Sequence, residues 1–202
     1  MSNGGISCDS GSADRILRAL DSFEIEVPSW GFANTGTRFG KFIQASAATT
    51  TEEKLSDAGR VHAFTGCCPS VAVHVLWDFP DGVASVGAVK QAAAKHGVRI
   101  GSINPNVFQD QIYKHGSLGN PDPHVRAEAI RHIEDCIEIA SRAGSRDISL
   151  WFADGSSFPG TANIRERKKW FAEALHRLHG QMDASQRLLI EYKPFEPAFY
   201  HT

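Results

Sequence analysis

The sequence lacks any long hydrophobic run: no apolar stretch approaches the roughly 18 residues that read as a membrane-spanning helix. The first 14 residues, MSNGGISCDSGSAD, are polar and glycine-rich, with neither a basic start nor an apolar segment, so no secretory leader is expected. Charge of one sign is not in excess either. Lys and Arg number 21 against 23 Asp and Glu, for a formal net charge of -2 and a pI near 6.5. That balance argues against nucleic acid or an anionic membrane surface as the main partner. Cysteine is sparse, at Cys8, Cys67, Cys68 and Cys136. The adjacent pair does not match the usual zinc spacing, and the set does not form a secreted disulfide framework. Reduced thiols in a cytoplasmic protein are the expectation. No G-x-G-x-x-G turn follows a strand-like segment, which weakens a dinucleotide-binding reading.

What is present is an ordinary globular composition. The chain has 202 residues, 42% of them hydrophobic and 22% charged, enough for one domain that buries roughly 70% of its extended surface without a metal or disulfide. Along the chain, a short apolar-periodic helix is expected at 15–22. FEIEVPSW (23–30) alternates and reads as a strand ending near Pro28. A loop follows at 31–42, and Thr50 with Glu53 spells a capping box opening a helix toward residue 62. SVAVHVLWDF (70–79) reads as a strand, 84–97 as a helix ending at Gly97, and 98–106 as a third strand leading into a long loop. Asp122 and Pro123 start the next helix. Ile130, Ile133, Ile137 and Ala140 form its apolar stripe, and Gly144 ends it. A strand at 147–155, a helix from about 163 to 178 and a strand at 187–195 complete the pattern.

Five buried strands linked by helices imply parallel βαβ units. The choice lies between a small doubly wound sheet and part of an eight-stranded barrel. At roughly 40 residues per unit, eight units need more than about 300 residues. The sequence supplies five strands, so both α/β architectures stay open on spacing alone.

In both architectures the site lies beyond the carboxyl ends of the strands. Those ends are polar: His74, Trp77 and Asp78; Asn104 and Asn106; Trp151 and Asp154; Glu191 and Lys193. Glu191 and Lys193 are two apart and so share a strand face. They suit either a rim ion pair or a metal-ligating carboxylate beside a lysine that holds a substrate oxygen. His74, on the expected face of Ala72 and Leu76, is either a satisfied core histidine or a general acid–base. Trp77 and Trp151 are either core aromatics or flat walls for a sugar ring. Asp78 and Asp154, in DFPDG and ADG, suit local backbone capping as well.

Taken together, VPSWGFANTGTRFGKF, HVLWD, YKHGSL, WFADGSSFPG and LLIEYKPFEPAFY resemble bacterial L-rhamnose isomerase and related sugar isomerases of the xylose-isomerase-like barrel superfamily. The resemblance runs from about residue 15 to the last residue. It implies an α/β fold, a (β/α)₈ TIM barrel truncated after the fifth strand, with residues 1–202 forming one partial barrel domain of an enzyme about twice this length, usually tetrameric, that uses two divalent ions, commonly Mn²⁺, to interconvert aldose and ketose monosaccharides. By the same resemblance Glu191 is a metal ligand and Lys193 contacts substrate oxygens. His74 helps open the sugar ring with Trp77 near it, and Trp151 lines the substrate pocket.

The family's remaining ligands lie on strands six to eight, which this sequence does not spell. The expectation is that the chain as given binds no catalytic metal tightly and is inactive, while its parent is an isomerase moving hydrogen between C1 and C2. One alternative is another sugar isomerase or a 3-epimerase of the same superfamily. A non-catalytic fragment is the alternative from a different class.

Overall fold

The computed structural model describes residues 10–33, 44–154 and 162–191. Helix α1 spans Ser10–Asp21, and strand β1 is short, Glu26–Pro28. A single helical turn, α2 (Ser29–Phe32), replaces the end of the expected first strand and the start of the expected loop. Helix α3 (Thr51–Thr65) opens on the capping box. Thr50 Oγ1 accepts from the Glu53 amide at 3.2 Å, and the Glu53 carboxylate accepts from the Thr50 amide at 3.1 Å. Gly66 closes α3 with φ of 71°, a left-handed conformation that a side chain disfavours.

Four more units follow. Strand β2 (Ser70–His74) is succeeded by a helical turn, α4 (Val75–Asp78), then by a 3₁₀ turn at Gly82–Ser85 and helix α5 (Val86–Lys95). Strand β3 (Arg99–Asn104) leads through the 105–122 loop to helix α6 (Pro123–Ala143). Strand β4 is Asp147–Trp151, helix α7 is Ile164–His179 and strand β5 is Arg187–Glu191. The expected strand at 70–79 is thus five residues, and Leu76 does not share a strand face with His74. The chain leaves the sheet at His74 because Asp78 reaches back and accepts its amide at 2.9 Å.

All five strands are parallel, in the order β1-β2-β3-β4-β5. A doubly wound sheet reverses direction at a switch point, whereas this one advances by one neighbour each time, as a barrel wall does. Successive crossovers of one hand then place the helices on one side. Val71, Val73, Ile103, Ile148 and Leu150, all fully buried, face those helices together with Leu55, Ile133, Ile139 and Leu178. Each such side chain contributes roughly 1.5–3 kcal/mol by leaving water. The opposite face carries Ala72, His74, Asn104, Ser149, Trp151, Leu189 and Glu191, so the polar residues of the strands turn to the barrel interior. The register pairs His74 with Asn104 and Trp151 with Glu191, and because Ile103 pairs with Ile148 the second pair stands two residues further along the strands, toward the same carboxyl-end mouth. Among the described residues no helix is long and apolar enough to cross a membrane.

Candidate active site

A cavity of about 230 Å³ opens at the carboxyl ends of the strands. Its lining is Trp30, His74, Asn104, Pro105, Phe108, Ser149, Trp151 and Glu191. Of the residues singled out in the sequence, the fold thus collects His74, Trp151 and Glu191 around one space. Trp77 stands beside that space, its ring centroid 4.1 Å from that of His74. Lys193 lies outside the described residues.

His74 is 8% exposed and closes β2. Trp30, on α2, packs against it with ring centroids 4.6 Å apart, so two indoles flank the imidazole. Phe108 completes the arc, 5.7 Å from His74 and 4.8 Å from Trp151. His74 Nδ1 lies 3.1 Å from the Asn104 carbonyl, which can only accept. Nδ1 therefore carries the proton, and Nε2 carries the lone pair. Burial pushes the imidazole down to about 4, against the opposing pull of the Asn104 carbonyl and the Asp78 charge. At neutral pH this is a neutral ring, able to accept a proton from a hydroxyl rather than donate one.

Two buried networks fix this geometry. In the first, the fully buried Asp78 carboxylate accepts from Lys54 Nζ at 2.7 Å, Ser29 Oγ at 2.6 Å and the His74 amide at 2.9 Å. Lys54, itself 6% exposed, also donates to the Trp77 carbonyl at 3.1 Å. One ion pair thereby ties α2, α3 and the end of β2 together. In the second, the buried Asn106 accepts the Leu76 amide on Oδ1 at 3.0 Å and donates from Nδ2 to Gln109 Oε1 at 3.2 Å. Gln109 Oε1 also accepts Trp77 Nε1–H at 2.8 Å. The Asn106 amide donates to His132 Nε2 on α6 at 2.9 Å, and burial pushes that imidazole's pKa down as well.

Asp154 is a positioning group. It is 6% exposed and accepts from the Ser117 amide, Ser117 Oγ and the Gly119 amide, each at 2.7 Å. Burial raises its pKa while these bonds and Arg167 act to lower it. The carboxylate holds the 113–120 loop against the end of β4. Gly116 permits this: its φ is 104°, and a Cβ there would sit 2.6 Å from Asp154 Oδ2. Both turn aspartates therefore cap backbone from buried positions, Asp78 locally at the His74 amide and Asp154 across the fold at the Ser117 and Gly119 amides.

Trp30, Phe108 and Ser149 were missed from sequence, as were the roles of Lys54, Gln109 and His132. Trp30 carried a signal, since it follows a strand-ending proline. Phe108 and Gln109 sit in a loop whose conformation no periodicity encodes.

A divalent ion takes about six oxygen or nitrogen ligands. Glu191 is the single carboxylate on the cavity wall, and among the described residues no three His, Cys, Asp or Glu side chains converge. The described residues do not by themselves complete a metal site.

Residues 69–200 match the family described as "Xylose isomerase-like TIM barrel". The chain belongs to that family. It is 34% identical over 194 residues to a protein named "Probable sugar isomerase" in Mesorhizobium japonicum, covering 94% of this chain and 44% of that one. A protein of the same printed description in Rhizobium meliloti is 32% identical over 194 residues, with the same coverage. This member of the xylose isomerase-like family thus spans less than half the length of those curated relatives. Among solved structures, D-allulose 3-epimerase from Methylomonas sp. superposes with a TM-score of 0.59 at 13% identity, over 89% of this chain and 53% of the other. That likeness concerns the fold alone.

Proposed function

We propose that the protein is a sugar isomerase or epimerase whose monosaccharide substrate sits in the cavity at the carboxyl ends of β2 to β5. The observation that carries this reading is the convergence of a neutral, doubly flanked His74, the aromatic walls of Phe108 and Trp151, and the Glu191 carboxylate on one space. The aromatic rings suit the C–H faces of a sugar, and a few directed polar groups suit its hydroxyls. The names of the two rhizobial relatives support sugar isomerisation as the reaction class.

In this reading His74 accepts a hydroxyl proton during ring opening, and Trp77 keeps the imidazole in place. Trp151 forms the wall, and Lys193 holds a substrate oxygen. Glu191 offers one ligand to a divalent ion, Mn²⁺ by resemblance, which would polarise the sugar oxygens; the other ligands would lie outside the described residues. L-Rhamnose to L-rhamnulose is the first substrate pair to test, because the strand-end motifs resemble that enzyme. Epimerisation at C3 of a ketohexose is the second, supported by the epimerase-like fold. Assembly as a homotetramer belongs to the same proposal.

The test is conversion of L-rhamnose, D-tagatose and D-psicose by the protein in the length its gene encodes, with Mn²⁺ and after chelation, followed by sugar chromatography. Turnover of one sugar, lost in Glu191→Gln with the circular dichroism spectrum unchanged, is expected. Full turnover by Glu191→Gln contradicts the reading. Transfer of hydrogen in D₂O then separates a hydride shift, which brings in no deuterium, from an enediol route, which does.

A further inference from the structure

We propose that Cys67 and Cys68 form a bidentate dithiol site for a monosubstituted trivalent arsenical. It lies at the amino end of β2, opposite the end of the strand that carries His74. The two sulfurs are 3.8 Å apart; Cys67 is half-buried and Cys68 is 5% exposed.

The backbone holds this pair from both sides. Gly66, in its left-handed conformation, donates to the His62 carbonyl at 2.7 Å. The Cys67 carbonyl accepts the Ile25 amide at 2.8 Å, and the Pro69 carbonyl accepts the Arg99 amide at 2.9 Å. Little chain ordering is left for a ligand to impose, which favours binding.

The spacing selects the ligand. A disulfide needs its sulfurs at about 2.05 Å, so the pair would have to close by more than an ångström while pinned on both sides. Zinc needs about four ligands, and no third His, Cys, Asp or Glu joins the pair among the described residues. A trivalent arsenic that already carries one organic group needs two sulfurs with room between them for itself. The thiols of Cys67 and Cys68 supply both. An organoarsonous acid, RAs(OH)₂, loses its two As–O bonds and gains two As–S bonds. Each thiol proton leaves with a hydroxyl as water, arsenic stays trivalent, and nothing is oxidised or reduced. Cys136 cannot substitute. It is fully buried in the core beside His132, and its sulfur has no second thiol beside it among the described residues.

The probe is phenylarsine oxide, hydrated to the arsonous acid, added to the reduced full chain. Intact mass is read after washing with a monothiol and again after washing with ethanedithiol. One phenylarsenic per chain is expected, kept through the monothiol wash and released by the dithiol. Cys67→Ser and Cys68→Ser should each lower retention about 100-fold, the loss of an intramolecular second bond, and Cys8→Ser should change nothing. Cys67→Ser decides the matter even if the buried Cys68→Ser misfolds, because Cys67 is partly exposed. Release of the wild-type adduct by the monothiol overturns the proposal, as does undiminished retention by Cys67→Ser.

Discussion

Replacing Lys54 with Met removes one ammonium and keeps most of the side-chain volume. Its partner, Asp78, has no solvent exposure, and the Lys54 Nζ–Oδ1 contact is 2.7 Å. After the change Asp78 retains Ser29 Oγ and the His74 amide, two neutral donors, for a carboxylate that water cannot reach. Breaking a buried pair from one side costs about 3–5 kcal/mol, because the remaining charge is uncompensated. Against a typical total stability of roughly 5–15 kcal/mol, that is a large fraction. The companion change Asp78→Asn keeps the shape and an acceptor oxygen, so in the Lys54→Met background it should restore part of the loss. Urea unfolding followed by far-UV circular dichroism, run as a double-mutant cycle, reads this directly. The coupling between the two sites should exceed about 1 kcal/mol. A cost below about 1 kcal/mol for Lys54→Met, or simple additivity of the two changes, refutes the view that this pair is what fixes the exit of β2.

Other consequences are open to direct measurement. His74 is held at about 4 in the folded state, while the unfolded chain titrates near 6.5. The unfolded chain binds more protons between those values, so stability falls as pH drops from about 6.5 to 4, by up to roughly 3 kcal/mol, and is intact above that window. His74→Gln should flatten this part of the urea midpoint plotted against pH; an unaltered slope contradicts the assignment. Asp154→Ala strands the Ser117 and Gly119 amides and should cost about 2–4 kcal/mol. Faster hydrogen exchange at those two amides would accompany it, and unchanged exchange argues against the carboxylate as the loop's anchor. Gln109→Leu removes the acceptor of the Trp77 indole N–H, whereas Gln109→Glu keeps one. The ¹⁵N-indole resonance of Trp77 should shift in the first variant and return in the second.

Much of the fold was legible because burial imposes a period. The stripe of Ile133, Ile137 and Ala140 and the run of Val71 and Val73 announce a helix and a strand by spacing alone. The Thr50–Glu53 box and the Asp122–Pro123 start are local chemistry, and both form as written. Strand lengths were not legible. The apolar run through Leu76 and Trp77 looks like strand, yet Asp78, held by Ser29 and Lys54 from distant parts of the chain, accepts the His74 amide four residues back and closes a helical turn, and propensity carries no record of those distant partners. The strand-borne lining of the cavity was readable because strand ends stand out as polar, and His74, Trp151 and Glu191, named on that ground, share one cavity. Trp30, Phe108 and Gln109 reach it through loops and a single helical turn. Their positions depend on the packed whole, as does the partnership of Asn106 with His132 across 26 residues.

The central claim is that a monosaccharide occupies the cavity ringed by His74, Asn104, Phe108, Trp151 and Glu191. Titration of ¹⁵N-labelled protein with L-rhamnose, D-tagatose and D-psicose tests it most directly. At least one sugar should give saturable shifts, with a Kd on the order of millimolar, in the Trp30 and Trp151 indoles and the Asn104 side-chain amide, and Glu191→Gln should weaken them severalfold. Saturable shifts confined to another surface, such as the α6–α7 groove around Arg126 and Trp170, or no saturable shift with any of the three sugars, would contradict it.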